Sequence, residues 1–358
     1  MQTGIIGLPH VGKTTLFQIL TRAHLDARTA RAGTHIGVAK VPDPRLEQLA
    51  AIFKPKKTTH AAIEYVDVGG IVHDKARDSA FFVQVREADA LAHVVRVFDH
   101  PAVPVPSGGI QPARDVESVE LDLMLNDLDQ LTRRIERLEK DLKKKREPLL
   151  EHELALLNRC RAALESEQPL RELEFHADEM KLLTSFNFLS QKPILHVINA
   201  GEDEASALDA AAEKHGLTAR AARRGAAVVA VCGKVEAELA ELELAEAAEL
   251  MSAYGLHEPG LDRLIHATYK LLGLISFFTV GEQECRAWTI SHGTTALRAA
   301  GAVHSDMERG FIKAEVVRWD QLVAAGSFAA ARERGKLKLE GKEYVVEDGE
   351  IVHFRHSG

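Results

Sequence analysis

The chain has 358 residues, 46% of them hydrophobic and 27% charged, with a net charge of -8. At roughly 150 residues per domain that length suits two to three globular domains, and the composition excludes a collagen-like, low-complexity or wholly disordered chain. The acidic balance argues against a general polyanion binder but leaves room for a local basic face, and the three scattered cysteines, Cys160, Cys232 and Cys285, argue against a disulfide framework or a zinc site and suit a reducing cytoplasm.

Met1-Gln2-Thr3 carries no positively charged side chain, and the apolar run after it is too short for an export signal. No uncharged stretch approaches the roughly 20 residues that span a bilayer. A cytoplasmic protein with no membrane partner is therefore expected. Residues 4–8 predict a short buried strand, followed by a Gly-containing loop and a helix over 14–21. Further strands are predicted at 62–68, 91–98, 193–199 and 226–232. These runs are rich in Val and Ile and alternate with helical patterns, which predicts an α/β fold with a parallel sheet covered on both faces. Between the third and fourth strands, Leu121, Leu125, Leu128, Leu131, Ile135, Leu138 and Leu142 recur at spacings of three and four, the seam of a long helix. Pro148 breaks it, and Leu150, Leu154, Leu157 and Leu164 continue on a second helix. The short connection predicts an antiparallel hairpin whose seam packs on itself rather than on another chain. From about residue 274 short β-like runs with turn signals, interrupted by a helical piece at 319–325, predict a compact α+β module.

Gly7-Leu-Pro-His-Val-Gly12-Lys13-Thr14 matches G-x-x-x-x-G-K-[ST], directly after a strand and before a helix. In that context the glycines let backbone N–H groups wrap a phosphate and the helix N-terminus adds positive potential. Lys13 is expected to reach the β- and γ-phosphates and the Thr14 hydroxyl to bind Mg²⁺. Asp67-Val-Gly-Gly70, about 53 residues further on, fits D-x-x-G: Asp67 holds Mg²⁺ through a water, and the Gly70 N–H senses the γ-phosphate. Asn199-Ala-Gly-Glu202 follows a strand where guanine-specific relatives of this fold carry N-K-x-D. Glu for Asp and Ala for Lys should remove strict guanine selectivity. Alternatively, Asn199 merely caps a helix starting near Glu202. Cys232-Gly233-Lys234 stands where a base-contacting loop would fall.

These elements, with GLPHVGKTTLFQILTRA near the N-terminus and the runs 85–100, 260–290 and 335–355, resemble the YchF/Obg-like ATPase family over nearly the whole chain. The resemblance implies a P-loop nucleotide domain at 1–118 and 189–273, a helical hairpin inserted at 119–188, and a β-grasp TGS domain at 274–358. It also implies an ATP-preferring, Mg²⁺-dependent NTPase that associates with ribosomes, with the large subunit as one candidate contact. In the family the run matching His10, Val11, Gly12, Lys13, Thr14 and Thr15 contacts the phosphates, and a switch threonine, here Thr34, completes the magnesium shell.

This chain departs from the family in several places. His10 replaces the usual Asn, and the segments after Thr34 and Gly70 are shorter by about three and about four residues. Ile71 follows Gly70 where many GTPases place a Gln that orients the attacking water, and Ile has no polar atom for that task. His73 is a candidate substitute, against the plainer reading of a solvated loop histidine. Slow hydrolysis without a partner is expected, with a nucleotide-gated binding module of negligible turnover, or a GTPase, as alternatives. Arg133, Arg134, Arg137, Lys140, Lys143, Lys144, Lys145 and Arg146 cluster toward the hairpin tip. They suit either RNA phosphates or a solvated face balanced by Glu136, Glu139 and Asp141. Lys313, Arg318, Arg332, Arg334, Lys336 and Lys338 offer a second basic surface in the C-terminal module.

Overall fold

A computed structural model describes residues 1–23, 35–68, 79–106 and 108–357. Thr34, Gly70, Ile71 and His73 lie outside the described residues. In chain order the strands are β1 (Gln2–Ile6), β2 (His35–Lys40), β3 (Lys57–Thr59), β4 (Ala62–Asp67), β5 (Ala90–Arg96), β6 (Ile194–Asn199), β7 (Ala226–Val231), β8 (Leu274–Val280), β9 (Glu284–Ser291), β10 (Phe311–Arg318), β11 (Lys338–Glu340) and β12 (Glu350–His356). They form two six-stranded sheets, β2-β4-β1-β5-β6-β7 and β11-β10-β12-β8-β9-β3.

In the first sheet β1 pairs in parallel with both β4 and β5, and β5-β6-β7 continue in parallel. Every residue of β5 and β6 is buried, as expected for apolar strands covered on both faces. The chain turns back across the sheet at β1, and the crevice at the carboxyl ends of the strands there is where open α/β sheets bind ligands. Helix α1 (Lys13–Thr21) opens directly into that crevice.

The strand order was only half visible in sequence. β2 is an edge strand with Ile36 and Val38 exposed, so no clean alternation marks it. β3 has three residues and joins the C-terminal sheet, parallel to β9. Accordingly the second compact unit consists of 39–63 together with 272–358, whereas the sequence reading left 39–63 within the nucleotide domain. That segment includes helix α2 (Pro44–Phe53), capped by the Asp43 carboxylate accepting from Arg45 N at 3.0 Å. In this unit β12 lies parallel to β8, flanked by the antiparallel β8-β9 and β10-β12 pairs. Helix Ala296–Val303 closes the core through Ala296, Ala299 and Ala300 against Phe277, Phe311 and Phe354. This is the expected β-grasp layout. Among the short β-like runs of the module, Tyr344-Val345-Val346 forms no strand and contributes a bridge from Val345 to Thr295.

The inserted helices follow α3 (Ser79–Glu87): α4 (Pro112–Lys144) and α5 (Pro148–Glu165) form the antiparallel hairpin within one chain. Leu131, Ile135 and Leu138 pack on Leu156, Leu157 and Cys160. Leu128 also packs against this cluster, and the predicted seam holds from Leu128 onward. Leu121 and Leu125 are exposed. In its first half α4 instead turns Val119 and Leu123 toward Val85, Leu91 and Ile194 of the nucleotide domain. One helix serves two partners, so its buried stripe changes face. No helix among the described residues is long and apolar enough to cross a membrane.

Candidate functional site

The loop between β1 and α1 is shaped by left-handed backbone. Gly7 has φ +146°, His10 +62° and Gly12 +99°. His and Asn are among the non-glycine residues that tolerate this region, which accounts for His10 standing where the family usually has Asn. At Gly12 a Cβ would collide with the Asn199 amide. His10 and Thr15 are exposed and Val11 is buried. The Lys13 side chain is buried, and its Nζ donates to the Leu8 carbonyl at 2.7 Å. Burial lowers the Lys13 pKa to about 8, with the Asp67 charge opposing the shift.

The parallel register sets Asp67 beside Ile5, so the carboxyl end of β4 meets the P-loop. Thr14 Oγ1 donates to Asp67 Oδ2 at 3.0 Å across 53 residues of sequence. A hydroxyl and a carboxylate oxygen, both hard donors, thus converge at the start of α1. Among the described residues no group of three or more His, Cys, Asp or Glu could hold a metal. A Mg²⁺ ion here would therefore complete its shell with phosphate and water oxygens, and the donor set fits one.

Asn199, at the end of β6, neither points freely outward nor caps the helix that follows it at Glu202. The following 3-10 helix, Glu202–Ala210, has Gly201 at its N-cap and no side-chain cap. Asn199 Nδ2 donates to Val11 O at 3.0 Å, and Oδ1 accepts from Gly233 N at 3.0 Å. One side chain therefore ties the P-loop to the loop after β7. Gly233 and Cys232 are buried, and the Cys232 side chain packs into a cluster with Ala205 and Val235, leaving its backbone to serve the loop. Glu202 and Lys234 are exposed and pair at 2.5 Å, which holds the Glu202 carboxyl below its ordinary range. The Tyr254 hydroxyl donates to the other Glu202 oxygen at 3.2 Å. Tyr254 lies 52 residues from Glu202 and belongs to no motif, so sequence reading had no signal for it.

Lys13, Thr14, Asp67, Asn199, Gly233, Glu202 and Lys234 are thus gathered around one crevice by β1, β4, β6 and β7. Near the hairpin tip Arg133, Arg134, Lys144, Lys145 and Arg146 each pair with a neighbouring acid. Arg137, Lys140 and Lys143 enter no ion pair or hydrogen bond among the described residues. A groove between α3 and α4, lined by Phe82, Arg86, Leu125, Gln130 and Arg137, holds none of the predicted phosphate-binding residues.

Comparison with known proteins agrees with this geometry. Residues 2–151 match the MMR_HSR1 family model, described as 50S ribosome-binding GTPase. Residues 274–357 match the YchF-GTPase_C model, described as protein of unknown function DUF933. The chain is 41% identical to a Bacillus subtilis protein named Ribosome-binding ATPase YchF, over 99% of each chain. A protein of the same name from Escherichia coli O157:H7 is 40% identical over 98% of each. The solved structure of the Schizosaccharomyces pombe YchF GTPase superposes with a TM-score of 0.85 at 28% identity, covering 99% of this chain and 97% of that one. The P-loop crevice, the inserted hairpin, the C-terminal β-grasp sheet and full-length identity near 40% converge, and the chain belongs to the YchF family.

Proposed function

We propose that the protein is a Mg²⁺-dependent ATPase that acts as a nucleotide switch on the ribosome. The observation that carries this reading is the junction of Lys13, Thr14 and Asp67, where a buried ammonium and two hard oxygen donors meet a helix N-terminus. Free backbone N–H groups of the loop and the first turn of α1 would cradle the phosphates. Lys13 would leave the Leu8 carbonyl to reach them. Asn199 keeps the P-loop and the base-side loop at a fixed distance, so phosphates and base are held by one frame. When bound, Mg²⁺ neutralises charge that builds on the phosphate oxygens. Thr34 and Gly70 are proposed to read the γ-phosphate, and His73 to help position water. The ribosome is the proposed partner, supported by the names of the relatives, and the family description favours the large subunit.

Single-turnover hydrolysis of ATP by purified protein tests the enzyme reading. Unassisted turnover on the order of 10⁻⁴ to 10⁻³ s⁻¹ is expected, as for P-loop sites acting without an activating partner, with loss of activity in EDTA. Activity unchanged by EDTA would refute the metal-dependent mechanism. No turnover at all, with tight ATP binding, would select the nucleotide-gated module, which Ile71 favours.

A further inference from the structure

Glu202 stands where N-K-x-D GTPases hold the carboxylate that accepts guanine's N1–H and exocyclic amine. Both of its oxygens are already engaged. Lys234 Nζ donates to Oε2 at 2.5 Å and the Tyr254 hydroxyl to Oε1 at 3.2 Å. These partners come from different elements. Lys234 lies in the first turn of helix Gly233–Glu241, and Tyr254 caps helix Leu244–Ala253. The Tyr254 ring is anchored with Leu239 and Leu256 on the buried Ala205, Cys232 and Val235 cluster. Its hydroxyl is therefore presented by a fixed ring rather than a mobile chain. Lys234 in turn follows Gly233, whose N–H is pinned by Asn199.

We propose that Lys234 and Tyr254 form a lock on Glu202 that sets base selectivity. This rests on the reading of the crevice as an ATP site and names the residues that discriminate within it. Guanine's two donors would compete with a lysine ammonium and a phenol already donating to the two oxygens. The ammonium itself retains N–H donors. Near a base edge these oppose the guanine N1–H, donor against donor, and suit the adenine N1, an acceptor. Discrimination therefore arises from a repulsive element as well as from the extra methylene of Glu. The isolated ion pair is solvent-exposed and weak, with side chains 58% and 39% exposed. The hydroxyl on the second oxygen is what gives both carboxylate oxygens a donor.

The test is competition of ATP and GTP against a fluorescent ADP analogue on the full chain. The proteins compared are wild type, Lys234→Met, Tyr254→Phe, the double variant, and the double variant carrying Glu202→Ala. The GTP-to-ATP affinity ratio should rise at least fivefold in the double variant, and the rise should vanish when Glu202 is removed. An unchanged ratio, or a rise that survives Glu202→Ala, overturns the lock. Should the double variant melt early by circular dichroism, Tyr254→Phe alone decides, since it removes a single hydroxyl: at least a twofold rise is expected, and none sinks the proposal. A wild type preferring GTP by more than tenfold would overturn the ATP reading and the lock together. A wild type that favours ATP or neither, with an unmoved double variant, removes the lock only.

Discussion

The Lys13 side chain is buried, with its ammonium against the Leu8 carbonyl, and that placement decides how it titrates. Burial brings its pKa to about 8, whereas a bound triphosphate would raise it again. The bound-state value is then the higher one, so the Lys13 contribution to affinity is complete below pH 8 and lost as pH rises through the bound-state pKa. ATP binding at pH 8.5 should take up a proton, seen by calorimetry as a dependence on buffer ionisation enthalpy. Equal heats in two buffers would contradict this. In the nucleotide-free protein the sign reverses. Between pH 8 and the ordinary lysine value of 10.5 the unfolded chain binds more protons, so stability from this group rises with pH. Lys13→Ala should weaken ATP at least tenfold, about 1.4 kcal/mol. The placement of Lys13 and Thr14 at the start of α1 was legible because the motif specifies backbone and side chain together. The bracing role of Asn199 was not, since its partners lie 188 and 34 residues away.

Two buried polar devices hold the elements in register. Asp127, on α4 and fully buried, accepts from Leu189 N at 2.9 Å and Ser190 N at 2.7 Å, which pins the hairpin to the segment leading into β6. Asp127→Ala would strand both amides and should cost about 2–4 kcal/mol in urea unfolding, with Asp127→Asn, which keeps one acceptor, costing less. Equal stability of Asp127→Ala and wild type would deny the role. In sequence Asp127 reads as one more polar position on a charged helix, because helical periodicity cannot show that the chain returns over it. The second device joins β5 and β6, where His93 and His196 face each other with Nδ1 atoms 3.2 Å apart. Burial lowers both pKa values, so both are neutral in the fold. The unfolded chain protonates near pH 6.5, so stability should be level above that value. Below it, stability should fall by up to about 1.4 kcal/mol per pH unit per histidine. Melting temperatures at pH 7.5 and 5.5 test this, and a His93→Leu variant should lose less stability between those two pH values than wild type, with an equal loss denying His93 a part.

For the molecule as a whole, a net charge of -8 means that any RNA contact must be local. The hairpin tip offers exposed cations, of which Lys143 is unpaired among the described residues while Lys144 and Lys145 are shared with Asp141 and Glu147. Co-sedimentation with purified ribosomes should be stronger with a non-hydrolysable ATP analogue than with ADP, and should weaken as salt rises. Changing Lys143, Lys144 and Lys145 to Glu should reduce it. Sedimentation indifferent to that change would shift the contact to the C-terminal module, and none with any nucleotide would count against the ribosome as partner.

The chain's own pattern determined the parallel sheet, the P-loop, the hairpin and a compact C-terminal α+β module, because each rests on short-range signals. Apolar runs, a glycine motif and a repeat of three and four survive in one dimension. The tertiary structure alone decided that 39–63 supplies a strand to the C-terminal sheet, that α4 changes its buried face midway, and that Tyr254 and Lys234 together occupy Glu202. Each of these depends on residues brought together from distant positions. A three-residue strand, a shifted stripe and a single hydroxyl carry no periodic signature, and only the closed fold gives them partners.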